Sequence, residues 1–272
     1  MRKHRYEHTY YTSKATLLIR HIHGLYTMEE MDGEPILYRD AFLAVHHDFI
    51  MAVGNGDGSA YCDKDTQIID AYGACVVPGF IDAGFRFLSS KTAAHSTDHE
   101  LLMQARKVLG AMTAGGTTTI GLCRYEDALL QKRMSKVYES LRKLQEVTLI
   151  DVSAHLDAFI IQKNRFLNKA SDQPFCISAG TQGTINDLFL AAKLYYQRTH
   201  QNPYEIVKAI TVHPAHALQI EHTRGILKAD RQADFVMLQS PDLETAFSSL
   251  APSAISRVYR DGNCIWQGRL HQ

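Results

Sequence analysis

The sequence predicts an α/β fold, and three observations carry the prediction. From Pro78 onward, short apolar strands alternate with amphipathic helices, the pattern of a parallel sheet with helices on its outer face. Roughly the first 75 residues read instead as β structure, with β-branched and aromatic runs punctuated by Gly, Asp and Asn. The last stretch of the chain returns to that texture, so two β segments bracket the middle.

In chain order, ATLLIRHIHGLYTM, ILYRDAFLAVHHDFIMAVGN and TQIIDAYGACVV supply the first strands, with a hairpin expected around His46-His47-Asp48. VVPGFIDA is then a buried strand running out into a loop. Thr97-Asp98-His99-Glu100 is a capping box, because the Thr hydroxyl and the Glu carboxylate can each satisfy a free backbone N–H at a helix start. The helix it opens ends at Gly115-Gly116. TTTIGL is a strand, a helix spans roughly Ala128 to Leu144, and VTLIDVSAH is the next strand. PFCISAG follows as a strand and INDLFLAAKLYYQRTH as a helix. Asn202 caps a further helix with Pro203 at its first position. ADFVML is a strand, and RVYRDGNCIW is a hairpin turning at Asp261-Gly262, a pair suited to two residues with φ > 0.

Composition narrows the function. The 272 residues carry 29 basic and 29 acidic side chains. That balance gives no electrostatic case for nucleic acid or an anionic membrane surface. The basic start MRKHRYEHTYYTSKA is not followed by the apolar run of a signal peptide, and no stretch approaches a membrane span, so a cytoplasmic protein is expected. Cys62, Cys75, Cys123, Cys176 and Cys264 are odd in number and form no CxxC, which indicates reduced, structural thiols. No GxGxxG, P-loop, Ser-His-Asp or Cys-His arrangement stands out.

Five segments in order, GACVVPGFIDAG, MTAGGTTTIGL, VTLIDVSAHLD, AITVHPAHAL and GILKADRQADFVML, resemble the landmarks of the amidohydrolase superfamily, most closely its imidazolonepropionase branch. The resemblance implies a (β/α) barrel with metal-assisted hydrolysis of a cyclic amide C–N bond at its strand ends. It also implies a composite β-sandwich built from both termini. The expected division is 13–77 with 223–270 as the sandwich, and 78–222 as a truncated barrel of about four strand–helix units. That segment is far shorter than the about 250 residues of a closed eight-unit barrel. Family strands one, two, three and eight are placed by motif order, the rest being cut between Asp157 and Pro174. Asp230 replaces the family's Gly in the final turn, which left-handed geometry tolerates.

The family places His-x-His after the Asp of its first strand, whereas Asp82-Ala83 is followed here by Gly84-Phe85-Arg86. Neither Gly84 nor Arg86 ligates a metal, and Arg86 brings a fixed positive charge to the site. The carboxylate ending the family's eighth strand is missing from Ser178-Ala179-Gly180-Thr181-Gln182. The expectation is therefore a pseudoenzyme with no catalytic residues and no cofactor, the family's Zn or Fe being lost. The resemblance leaves His155, Arg86, Tyr125 and Arg124 as substrate-binding candidates for a small-molecule ligand. His213 and His216 read as packing and capping residues. Two alternatives stay open. One is a hydrolase with a site rebuilt from His155, Asp151, Asp157 and the histidines His95 and His99, which share a face if they lie on one helix. The other is a non-catalytic assembly module. Four retained strands in the order eight, one, two, three leave two open edges, PFCISAG and VTLIDVSAH, so a homodimer is expected.

Overall fold

The computed structural model describes residues 13–152, 175–180, 186–250 and 255–268, and the backbone of 160–163. The chain begins with β1 (Leu17–Met31), β2 (Glu34–His46), β3 (Phe49–Asn55), β4 (Gln67–Asp70) and β5 (Cys75–Pro78). The middle holds β6 (Phe80–Phe85), α1 (Ser90–His95), α2 (Asp98–Ala114), β7 (Thr117–Leu122), α3 (Ala128–Arg142), β8 (Thr148–Asp151), β9 (Ile160–Lys163) and β10 (Phe175–Ser178). Then come α4 (Leu188–Thr199), α5 (Pro203–Lys208), α6 (Val212–Ala217), β11 (Phe235–Leu238), α7 (Leu243–Ser248), β12 (Ile255–Arg260) and β13 (Asn263–Gln267).

Strands from both ends of the chain share one sheet, ordered β13-β12-β11-β5-β1-β2-β3, with β4 also beside β1. β1 serves two neighbours on one edge because it bends at His21, whose φ is 54°. Its first half pairs with β4 and its second with β5, both parallel. The antiparallel pairing of β11 with β5 brings the C-terminal segment in. Alternation along β5 then divides the interior: Val76 belongs to a core with Leu17, Ile19, Leu43, Phe235 and Tyr259, while Cys75 and Val77 face the larger core of the middle region. The Phe235 and Tyr259 rings stack with centroids 4.4 Å apart. Asp261 and Gly262 both take positive φ at the β12–β13 turn, and Asp230 sits in the left-handed region with φ 67°.

In the middle region β6, β7 and β8 form a parallel three-stranded sheet. β6 and β7 approach so closely that a Cβ on Gly121 would lie 2.5 Å from the Ala83 carbonyl oxygen, so only glycine fits. The capping box is formed: the Thr97 hydroxyl accepts the Glu100 N–H, and the Glu100 carboxylate accepts the Thr97 N–H. The side chains of Asp127, Asp187 and Asn202 cap α3, α4 and α5 by accepting one backbone N–H each, from Leu130, Leu190 and Tyr204.

Three features depart from the sequence expectation. β9 lies in the segment read as a cut and pairs in parallel with β10, forming a separate two-stranded sheet. β10 therefore lies outside the sheet of β6, β7 and β8. Nor does it share a ladder with β6. The Ile81 N–H donates to the Ile210 carbonyl and the Ile177 N–H to the Ala209 carbonyl, so the turn after α5 occupies the groups a β6–β10 ladder would use. Finally, the stretch after β6 turns into α1 before α2 begins. Among the described residues no helix is long and apolar enough to cross a membrane.

Candidate functional site

β6 is buried at all six positions, and its polar member is Asp82. One carboxylate oxygen accepts the Gly84 N–H at 3.1 Å and the other the Ala179 N–H at 2.8 Å. The Ser178 hydroxyl beside it accepts the Gly180 N–H at 3.1 Å. Burial pushes the Asp82 carboxyl up to about 6, against the lowering effect of Ser178 and the two N–H donors. Burial, and then the nearby Asp82, push the Cys176 thiol up to about 12, which makes it inert. Asp82 thus joins the middle of β6 to the end of β10.

Arg86 follows directly on β6, half-buried, with its guanidinium carbon 5.6 Å from the centroid of the Tyr125 ring. Its Nε is buried and has no hydrogen-bond partner among the described residues. Tyr125 is 4% exposed, and its hydroxyl donates to the Leu88 carbonyl at 2.7 Å. The protein itself therefore uses that hydroxyl, and what Tyr125 presents to Arg86 is a ring face. Arg124 is exposed, at the end of β7. His155 and Asp157 lie outside the described residues. Asp151 ends β8 and is paired with Arg142 at 2.9 Å. His95 closes α1 and His99 begins α2, both exposed, so they do not share a helix face. The His213 ring nitrogen Nδ1 lies 2.9 Å from the Phe175 carbonyl oxygen, and burial holds its pKa below the usual value. It packs α6 onto β10.

A cavity of about 350 Å³ opens beside these ends, lined by Leu122, Cys123, Arg124, Gln131, Ser135, Tyr138, Asp151 and Val152. Its α3 residues escaped sequence reading because Gln131, Ser135 and Tyr138 look like one flank of an ordinary amphipathic helix.

Among the described residues the donor set does not fit a metal. Gly84 and Arg86 offer no ligand, both Asp82 oxygens are occupied by backbone N–H groups, and β10 ends without a carboxylate. Among the described residues no group of three or more His, Cys, Asp and Glu is placed to hold an ion.

Residues 170–265 match the model of the amidohydrolase family. The chain carries an amidohydrolase-family domain. Imidazolonepropionase of Fusobacterium nucleatum is 27% identical over 150 residues, covering 52% of this chain and 35% of that protein. The match thus spans about a third of the relative's length. Among solved structures, Escherichia coli guanine deaminase aligns with a TM-score of 0.64 at 10% identity, covering 93% of this chain and 99% of that one. Atrazine chlorohydrolase of Arthrobacter aurescens, a complex with zinc and atraton, aligns at 0.66 with 12% identity, covering 91% and 94%. At such identities these two structures speak for the fold. The chain differs from the expected amidohydrolase pattern at Gly84, Arg86 and the end of β10.

Proposed function

We propose that this chain is a non-hydrolytic, imidazolonepropionase-like member of the amidohydrolase family, a pseudoenzyme that keeps ligand binding at its strand ends. One observation carries the reading: Asp82, next to the missing His-x-His, is fully buried and spends both oxygens on Gly84 and Ala179. A carboxylate buried out of reach of solvent, with one backbone N–H on each oxygen, serves to join two strands rather than to hold an ion or a water molecule. Arg86, with a half-buried charge and no ion pair among the described residues, supports an electropositive strand end that disfavours a dication. Arg86, Arg124, the Tyr125 ring and His155 are the binding residues under this reading.

The division into a composite terminal unit, 13–77 with 223–270, and a shortened barrel, 78–222, belongs to the same proposal. So does a homodimer. Among the described residues β8 pairs only with β7, and β9 only with β10, so each small sheet has an edge for a second copy. Sedimentation equilibrium tests this: a dimer that Ile150→Lys weakens is expected, and a well-folded monomer at tens of micromolar contradicts it. The hydrolytic question is tested by elemental analysis of freshly purified protein, where substoichiometric zinc and iron are expected and a full equivalent of either overturns the reading.

A further inference from the structure

Glycine follows asparagine once in the chain, at Asn55-Gly56, where β3 ends. Both residues are exposed, and they belong to the large sheet rather than to the strands that carry Asp82 and Ser178. Gly56 takes φ 99°, and a Cβ added to it would meet nothing within 4 Å. No side chain of its own shields the Gly56 nitrogen, and the space around it is open.

Two hydrogen bonds tie this pair to adjacent residues of β2. The Asn55 carboxamide oxygen accepts the Arg39 N–H at 3.1 Å, and the Gly56 N–H donates to the Asp40 carbonyl at 2.7 Å. They act in opposite senses on an attack of the Gly56 nitrogen at the Asn55 carboxamide carbon. The Arg39 N–H polarises the carboxamide and favours the oxyanion that forms on it. The Asp40 carbonyl holds the nucleophile's proton, so that bond must open first. Opening it is easy, because it is a single bond beyond Ala41 and Asn55, the last pair of the β2–β3 ladder.

The next pair along, Asp57-Gly58, is a poorer electrophile. The Ser59 backbone N–H and hydroxyl hold the Asp57 carboxyl below its usual range, and an ionised carboxylate resists attack.

We infer that Asn55 is a site of spontaneous deamidation and isomerisation in the folded chain, with water as co-reactant. The Gly56 nitrogen gives its proton to hydroxide and bonds to Asn55 Cγ. The Cγ–Nδ2 bond breaks, ammonia leaves, and a five-membered succinimide remains. Water then adds to one of the two ring carbonyls and breaks that carbonyl's bond to the ring nitrogen, which gives aspartate or isoaspartate.

The two products differ in what they do to β3. Aspartate keeps an oxygen for the Arg39 N–H and adds negative charge near the exposed Asp40 and Asp57. Isoaspartate lengthens the backbone by one carbon ahead of Gly56, which breaks the bond to Asp40 and loosens the end of the β2–β3 ladder.

Peptide mapping by mass spectrometry tests the inference on the full chain, incubated at neutral and at alkaline pH in heavy-oxygen water. The peptide holding Asn55 is expected to change from amide to acid with one heavy oxygen incorporated, as a mixture of aspartate and isoaspartate, faster at the higher pH. Asn263 is also exposed but precedes Cys264, and it should convert far more slowly. Asn55→Gln keeps the amide but needs a six-membered ring, so its peptide should stay unmodified over the same period. Amide exchange at Gly56 should be faster in the isolated isoaspartate form than in fresh protein. The inference is overturned if Asn55 stays intact in the folded chain while it converts in urea, if it converts no faster than Asn263, or if Asn55→Gln converts equally fast.

Discussion

The Asp82 carboxylate on β6 accepts the backbone N–H of Ala179, just past the end of β10, at 2.8 Å. The contact spans two strands that share no hydrogen-bonded ladder, and together with the Ile81 and Ile177 bonds to the turn after α5 it holds the two sheets side by side. Removing it leaves buried donors without acceptors. Asp82→Ala should cost about 2 kcal/mol or more in urea unfolding. Amide exchange at Gly84 and Ala179 should accelerate more than exchange in β1 or β2.

The same carboxyl sets a pH dependence. Its folded value, about 6, lies above its ordinary 3.8, so between these values the folded state holds a proton that the unfolded state has released. Its contribution to stability therefore falls as pH rises from about 4 to about 6, by about 3 kcal/mol in all, and is flat on either side. The difference between the unfolding free energies of the native chain and Asp82→Asn, measured across that window, should show this slope. A rise with pH would contradict the burial assigned to Asp82.

At the other end of the middle region Arg224 donates to Asp234 at 2.9 Å and to Asp261 at 2.7 Å, with Asp234 also accepting the Asp261 N–H. Asp234 is 4% exposed, and burial raises its pKa against the lowering effect of Arg224. Arg224→Leu strands that carboxylate and should destabilise the fold by about 3 kcal/mol or more. Arg224→Lys should recover little of the loss, because an ammonium cannot reproduce the guanidinium fork that serves two carboxylates. Thermal and urea unfolding of the two variants check both statements.

These results show which parts of the structure the sequence made legible. The capping box at Thr97 and Glu100, the Asp261-Gly262 turn and the TTTIGL strand were readable because a few adjacent residues determine each of them. The separation of β6 from β10 was not. It depends on Ile210 and Ala209 reaching back to Ile81 and Ile177 across a long stretch of chain, and nothing near those residues signals it. β9 was missed because its four residues carry no turn chemistry or alternation to announce a strand. At the site, the loss of His-x-His was plain in Gly84 and Arg86. The commitment of Asp82 to Ala179 needed the fold.

Restoring the missing imidazoles tests how much of a metal centre survives. Gly84→His with Arg86→His supplies two ligands, but Asp82 remains committed and β10 offers no carboxylate. Two imidazoles leave zinc half coordinated, so calorimetry should find at most weak uptake in the double variant. Tight one-to-one zinc would reveal further ligands.

The central proposal is that this chain, for all its resemblance to the amidohydrolases, does not hydrolyse. The most direct test incubates purified protein with imidazolonepropionate, with and without added zinc or iron, and follows loss of the substrate's ring chromophore. The account predicts a rate equal to the protein-free control in every condition. Turnover proportional to protein concentration and abolished by a chelator would contradict it.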